Sequence, residues 1–373
     1  MPPVHLLVKP ASGLCNMRCK YCFYHDITNK REQASYGIMS AETQENMMRK
    51  AFEYAQGQIT IAYQGGEPTL AGLDYFKRSI ELQSLYNTKK LAVNNAIQTN
   101  GLDLGEEWAR FFAENNFLVG LSIDGAKDSH DRYRVDASGK GTFNRIMKTV
   151  RLFDRHSVQY NILTVVNSAT ARHINSAYSF FKKSGFSYLQ FIPCLDPLGE
   201  TPFSSEYSLT NEAFGEYMKR LFDLWYHDVQ RGEGISIRTF DNYISMLMGH
   251  PPESCGMGGI CSAQNVVEAN GSVYPCDFYV LDEYNLGNLN EVGFDEINRQ
   301  RAEIKFVEES AVFPDECNNC RYFGICRGGC KRMRAAAAPA SVPHCYYCAA
   351  YKNFFDYALE RMQHLARYVA AQQ

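Results

Sequence analysis

Short apolar and β-branched runs recur through the first half of the chain. Between them lie longer stretches in which apolar residues return every three or four positions. The short runs are His5–Lys9, Ile59–Gln64, Leu91–Gln98, Leu118–Ile123, Tyr160–Val166 and Tyr188–Ile192. Several are almost continuously apolar, as strands covered on both faces are. Helical spacing falls at Ala41–Ala55, Leu73–Tyr86, Glu106–Glu114, Phe143–His156 and Ala171–Ser184. Ser40 stands where an N-cap belongs and Gly57 where a helix stops. Strand–helix alternation predicts parallel βαβ units and an α/β fold, either a partial (β/α)6 barrel or an open doubly wound sheet. In both, chemistry belongs at the carboxyl ends of the strands.

Beyond residue 200 the pattern changes. A helix over Asn211–Gln230 is followed by turn-rich sequence, and Val266–Tyr274 reads as a β-hairpin with Asn270-Gly271 in a type I′ turn. An amphipathic helix from Ala349 to Ala370 closes the chain, and the alanine-rich run 335–340 reads as a loop. The change of pattern places a domain boundary near residue 235, giving domains 1–235 and 236–373.

Composition narrows the function. With a net charge of -3, the chain lacks the basic excess that nucleic-acid or anionic-membrane surfaces require. No run is long enough to span a membrane, and the first ten residues lack the basic and apolar segments of a signal peptide, so the expected location is the cytoplasm. Thirteen cysteines, an odd number, fit metal or redox chemistry better than a disulfide framework. They are unevenly placed: Cys15, Cys19 and Cys22 at the start, Cys194 alone, and nine between Cys255 and Cys348.

The first three have the spacing C-x3-C-x2-C directly after the first strand. Three thiolates on one loop can hold three irons of a [4Fe–4S] cluster and leave the fourth iron open. Structural zinc is the alternative, with His25 as a fourth ligand. This motif, with Tyr21 before its last cysteine, resembles the radical S-adenosylmethionine (SAM) superfamily. The resemblance implies that the open iron chelates SAM, whose cleavage gives methionine and a 5′-deoxyadenosyl radical. Gln64-Gly65-Gly66-Glu67-Pro68 resembles the superfamily's glycine-rich motif, which meets the methionine amino group. By the same resemblance Tyr21, Gln64, Gly66 and Glu67 face the cofactor. Ser122 and Arg134 would meet the SAM carboxylate and Leu195 its adenine.

The later cysteines follow the pattern Cys261-x9-Gly271-x4-Cys276, then Cys317-x2-Cys320-x5-Cys326-x3-Cys330, then Cys348. This resembles the SPASM extension of radical SAM enzymes and implies two auxiliary [4Fe–4S] clusters, making three in all. By position, Cys255, Cys261, Cys276 and Cys330 would hold one. Cys317, Cys320, Cys326 and Cys348 would hold the other, with Cys345 as a rival to Cys348. Zinc ribbons are the alternative, since C-x2-C pairs suit zinc as well. Cys194 has no part in this scheme and reads as a core thiol. The basic run Arg327, Lys331, Arg332 and Arg334 reads as a solvated face or as compensation for cluster charge.

Cys276-Asp277-Phe278-Tyr279, the opening Pro-x-x-Leu-Leu-x-Lys-Pro-Ala-Ser and Gln-Gly-Gly-Glu-Pro-Thr-Leu-Ala-Gly resemble the anaerobic sulfatase-maturating enzymes. That resemblance implies oxidation of the Cys or Ser of a Cys/Ser-x-Pro-x-Arg motif in a sulfatase to formylglycine. Asp277 would accept the thiol or hydroxyl proton, and Tyr24 and Gln64 would contact the peptide. Flavodoxin or ferredoxin would supply electrons, and the chain would act as a monomer. Rival readings are a radical SAM maturase that crosslinks peptides, a polyferredoxin-like electron carrier, and a zinc scaffold. The peptide-docking domain that often precedes the cysteine motif in crosslinking maturases is not expected, since fourteen residues precede Cys15.

Overall fold

The computed structural model describes residues 3–335 and 344–372. Its contacts divide the chain into two compact units. One comprises residues 1–122, 134–160 and 263–306, the other residues 123–133, 161–262 and 307–373. Among the described residues there are nine strands. They are β1 (Val4–Val8), β2 (Gln58–Tyr63), β3 (Ala92–Thr99), β4 (Leu118–Ser122), β5 (Gln159–Val166), β6 (Tyr188–Pro193), β7 (Ser236–Ile237), β8 (Asn265–Val267) and β9 (Val273–Tyr274).

In the first unit the strand order is β4-β3-β2-β1-β8-β9. Neighbours from β4 through β8 are parallel, as the strand–helix alternation demands, with Leu6 level with Ile61 on one side and Asn265 on the other. Val8, Ile59, Ile61 and Val119 are fully buried, which accounts for the nearly unbroken apolar runs. Aromatic side chains from the helices Leu73–Tyr86 and Glu106–Glu114 cover the sheet. Phe76 lies 5.0 Å from Tyr63 and 6.5 Å from Phe117, centre to centre. The helix Ala41–Tyr54 begins where Ser40 caps it, Thr43 N–H donating to Ser40 Oγ at 3.0 Å. Such a cap stabilises by about 1 kcal/mol.

The hairpin is present, but its turn differs from the expected type I′. That type needs positive φ at both central residues. Only Gly271 has it, at 90°. Gly271 N–H donates to Glu268 O at 2.8 Å and Glu268 N–H to Ser272 O at 2.9 Å. The loop is therefore a three-residue turn closed by a glycine bulge, which leaves Asn270 in an ordinary conformation. A side chain at Gly271 would also strike Asn288 Oδ1 at 2.7 Å.

In the second unit β5, β6 and β7 run parallel, with Ile162 opposite Leu189 and Tyr188 opposite Ser236. The first two residues of β5 belong to the first unit. The helix Asn211–Gln230 packs on the closing helix Cys348–Ala370 through Phe222 and Phe354, 5.9 Å apart, with Phe214 meeting Tyr347 at 4.7 Å. The helix expected over Ala171–Ser184 is two, Ser168–Arg172 and Ile174–Lys183. Asn167 caps the first by accepting from Ala169 N–H and Thr170 N–H, and the chain re-initiates at His173. Of the alanine-rich run, Ala335 ends the helix Lys331–Ala335, and 336–340 lie outside the described residues.

Candidate active site

Because β1, β2, β3, β4 and β8 of the first unit are parallel, their carboxyl ends share one edge of the sheet. The loop after β1 carries Cys15, Cys19 and Cys22. It is pinned to the loop after β2 at Gly66 and Glu67. Glu67 N–H donates to Leu14 O at 2.7 Å, and a Cβ on Gly66 would lie 2.2 Å from the same oxygen. With φ at 52°, Gly66 is a position where glycine is required on two counts. Glu67 is buried and saturated: its carboxylate accepts from Thr69 N–H, Thr69 Oγ1, Thr99 Oγ1 and Asn100 N–H. Burial raises its pKa above the ordinary carboxylate value, while these four donors pull it back down. Its carboxylate thus fastens the loops after β2 and β3 together. Gln64 is half-buried and its N–H bonds Val8 O at 2.9 Å.

Burial pushes the Cys15 thiol up to about 11, with further upward contributions from Glu67 and Cys22. Met17 N–H, at 3.4 Å from the sulfur, pulls the other way, as does Asn100 Nδ2 at 3.8 Å. The Cys19 sulfur lies 3.9 Å from Arg134 Nη1, and the same guanidinium stands 5.5 Å from the Tyr21 ring centre. Arg134 is buried, so it is not a solvated arginine. Ser122, also buried, follows Leu121, which is level with Thr99; Asn100 and Ser122 therefore emerge from adjacent strands.

Asp277 leaves the hairpin after β9 and pairs with the ammonium of Lys9, the first residue after β1. Lys9 is fully buried, donates its N–H to Val267 O at 2.8 Å and lies 3.9 Å from the Tyr24 ring centre. Tyr24 donates its hydroxyl to Glu268, a completely buried carboxylate just past β8. Lys9, Glu268, Ser12 and Asn100 carried no role in the sequence reading. The signals for Lys9 and Ser12 were their places in the opening Pro-x-x-Leu-Leu-x-Lys-Pro-Ala-Ser motif and, for Lys9, a lysine at the carboxyl end of an apolar strand. Glu268, in the middle of a hairpin turn, offered none.

In the second unit, Cys317, Cys320, Cys326, Cys345 and Cys348 line one cavity together with Tyr351 and Phe355. Burial pushes the Cys326 thiol up to about 11, and Cys348, Cys317 and Cys320 all add to the rise. Cys345 is the most enclosed of the five: it is 5% exposed, and burial holds its thiol far above the ordinary range. Cys255, Cys261 and Cys330 form a second electrostatically coupled group, the Cys330 thiol being raised first by burial and then by the other two. Five cysteines around one cavity include enough thiolates for a closed four-thiolate cluster, with one to spare.

Two members of the basic run are not solvated. Arg332 is buried and donates to Asp196 O at 2.6 Å. Arg334 is buried, donates to Ser310 O at 2.6 Å and lies 4.7 Å from the Phe313 ring centre. Lys331 pairs with Glu309 at 2.9 Å. Cys194 and Leu195 follow β6. Cys194 is buried, and its carbonyl accepts from the Tyr347 hydroxyl; Leu195 is half-buried, and the next residue, Asp196, accepts from Tyr346 and Ser208.

None of the thirteen cysteines is in a disulfide. Among the described residues no helix is long and apolar enough to cross a membrane. Comparison with known proteins places residues 10–181 in the radical SAM superfamily and residues 259–321 in an iron–sulfur cluster-binding domain family. The chain is 45% identical over 373 residues, all of both chains, to a cysteine-type anaerobic sulfatase-maturating enzyme of Clostridium novyi. It is 31% identical to a serine-type anaerobic sulfatase-maturating enzyme of Bacteroides thetaiotaomicron, covering all of this chain and 93% of that one. A solved structure of native anSMEcpe with bound AdoMet and Cp18Cys peptide superposes with a TM-score of 0.94 at 45% identity, covering 99% of this chain and all of the other. The parallel sheet is that of the radical SAM fold, and the chain belongs to the anaerobic sulfatase-maturating enzymes.

Proposed function

We propose that this chain oxidises the cysteine of a Cys-x-Pro-x-Arg segment in an unfolded or nascent sulfatase to formylglycine, with serine the poorer substrate. The observation that carries this is full-length identity of 45% with the cysteine-type relative, against 31% with the serine-type one. The carboxyl edge supports it, since a cysteine loop, a glycine-rich loop and a carboxylate held by a buried lysine all meet there.

In this reading Cys15, Cys19 and Cys22 hold one [4Fe–4S] cluster. When bound, that cluster and SAM supply the species that removes a hydrogen atom from the substrate Cβ. Gly66 lets backbone approach the ligand, Glu67 fixes the glycine-rich loop, and Ser122 and Arg134 meet the SAM carboxylate. Asp277 accepts the thiol proton while Lys9 keeps its carboxylate in place. Loss of a hydrogen atom, a proton and one electron leaves a carbon–sulfur double bond. Water converts that to the aldehyde, releasing hydrogen sulfide. Cys317, Cys320, Cys326 and Cys348 would hold one auxiliary cluster, and Cys255, Cys261 and Cys330 would serve another; such clusters would supply the acceptor for the departing electron that zinc could not.

The same reading makes the chain a cytoplasmic monomer that draws electrons from flavodoxin or ferredoxin. The odd number and clustering of its cysteines, suited to metal more than to disulfides, support a reducing compartment. Anaerobic incubation with SAM, a reductant and matched Cys- and Ser-containing peptides tests the proposal by mass spectrometry. The expected result is an aldehyde formed faster from the Cys peptide, with Cβ deuterium appearing in 5′-deoxyadenosine. A thioether product, or label drawn from Cα, would move the chain to peptide crosslinking.

A further inference from the structure

Glu268 has no exposure at all, yet it is a carboxylate in the turn between β8 and β9. Burying a charge is costly unless partners compensate it, and an apolar side chain would serve a core equally well. Glu268 has four partners. Ser12 donates to Oε2 at 2.6 Å, Tyr24 donates to Oε1, the Arg31 guanidinium lies at 3.5 Å, and Ala269 N–H reaches Oε2 at 3.3 Å. The identity of the first two matters. Ser12 stands three residues before Cys15, and Tyr24 two residues after Cys22. A single carboxylate therefore grips the cysteine loop on both flanks.

The grip is specific on each side. Ser12 is held at φ 48°, a left-handed conformation that non-glycine residues adopt at a cost, and its Oγ also accepts Tyr36 N–H at 3.0 Å. Tyr24 is 4% exposed and is fixed from its other side by the Lys9 ammonium. Glu268 itself is set by the hairpin whose second strand leads directly to Cys276 and Asp277. The hairpin residue thus sets the register between the loop of Cys15, Cys19 and Cys22 and the segment that carries Asp277.

We propose that Glu268 is a positioning residue, which holds the first cysteine loop in register with the Asp277 segment by bonding both flanks of that loop. The consequence for the reaction rests on the proposed function above; the hold on the loop does not. If the register slackens, SAM is still cleaved but hydrogen abstraction and proton acceptance lose their alignment. The expected signature is uncoupling, with less aldehyde formed for each 5′-deoxyadenosine released.

The test uses the full-length, iron-loaded chain as wild type, Glu268→Gln, Glu268→Asp, Ser12→Ala and the Glu268→Gln/Ser12→Ala double variant. Two quantities are read: aldehyde per 5′-deoxyadenosine with a Cys-x-Pro-x-Arg peptide, and the rate at which a ferrous chelator strips iron without substrate. Glu268→Gln should lower the ratio about fivefold or more and speed release of one cluster's share of iron by a similar factor. Ser12→Ala should move both in the same direction by less, and Glu268→Asp should recover part of each. The double variant should fall by less than the two single effects combined, because both changes weaken the Ser12–Glu268 link. Wild-type values for both quantities in Glu268→Gln would overturn the proposal. So would equal, parallel loss of iron from all sites in Glu268→Gln and Ser12→Ala, which would make Glu268 a core residue only. If wild type makes no aldehyde while the iron-release difference persists, the proposed function fails and the positioning role stands.

Discussion

The ammonium of Lys9 is paired with the carboxylate of Asp277, 268 positions later in the chain, and lies 3.9 Å from the centre of the Tyr24 ring. The lysine is wholly buried and the aspartate side chain 15% exposed, so the charges compensate each other largely out of water. Removing one partner of such a pair strands the other, at a cost of about 3–5 kcal/mol in well-buried cases. Lys9→Met should therefore lower the thermal midpoint clearly, and Lys9→Met/Asp277→Asn should regain part of that loss. Thermal denaturation of the three proteins under anaerobic conditions measures it. A double variant less stable than Lys9→Met would contradict the pairing.

Asp277→Asn keeps the shape of the side chain and removes the proton acceptor. Peptide oxidation should fall by about 10²–10⁴-fold, the range typical of losing a general base. The measurement is aldehyde formation under saturating SAM and peptide. A rate near wild type would leave Asp277 with a structural part alone.

Replacing Cys15, Cys19 and Cys22 together by Ala should abolish 5′-deoxyadenosine formation and leave about two-thirds of the iron, since only one of three clusters loses its ligands. Iron assay and chromatography of the nucleoside product check both halves. Deoxyadenosine at wild-type levels would remove the basis for assigning SAM chemistry to this loop.

Cys348 and Cys345 line the same cavity as Cys317 and Cys326, but Cys345 is the more closed off from solvent, with its sulfur 2.9 Å from where a Cβ on Gly329 would be. Cys348→Ala should lose one cluster's iron and most aldehyde formation, and Cys345→Ser should retain its iron. Cys317→Ala should behave like Cys348→Ala. The reverse order for Cys345 and Cys348 would exchange their parts.

Much of this was legible because periodicity and capping act locally. The helices Leu73–Tyr86, Glu106–Glu114 and Asn211–Gln230 span the residues their apolar spacing marks. What sequence left open were arrangements decided by distant partners. β7 and the helix Arg238–Leu247 are short, and only tertiary contact reveals them. The turn type shows only in the backbone, where Gly271 alone has positive φ and Glu268 bonds Ser272, and the Asn-Gly pair by itself does not specify it. Arg332 and Arg334 look like a charged surface in one dimension, because the carbonyls they serve at Asp196 and Ser310 lie 136 and 24 positions earlier. Glu268 was invisible for the same reason, since its partners Ser12, Tyr24 and Arg31 lie more than two hundred residues earlier.

The place of β1 between β2 and β8 has a consequence for the order of events during synthesis. Its first neighbour ends at Tyr63 and can dock as soon as that segment has left the ribosome. Its second neighbour begins only at Asn265. Throughout translation of the two hundred or so residues between them, one rim of the oldest strand has unpaired N–H and C=O groups, the kind of template on which chains misassociate. Lys9, whose N–H awaits Val267 O, waits equally long for its carboxylate. The nascent chain is thus most vulnerable before residue 267 emerges, and a ribosome stalled short of that point would present an unfinished sheet to whatever lies nearby.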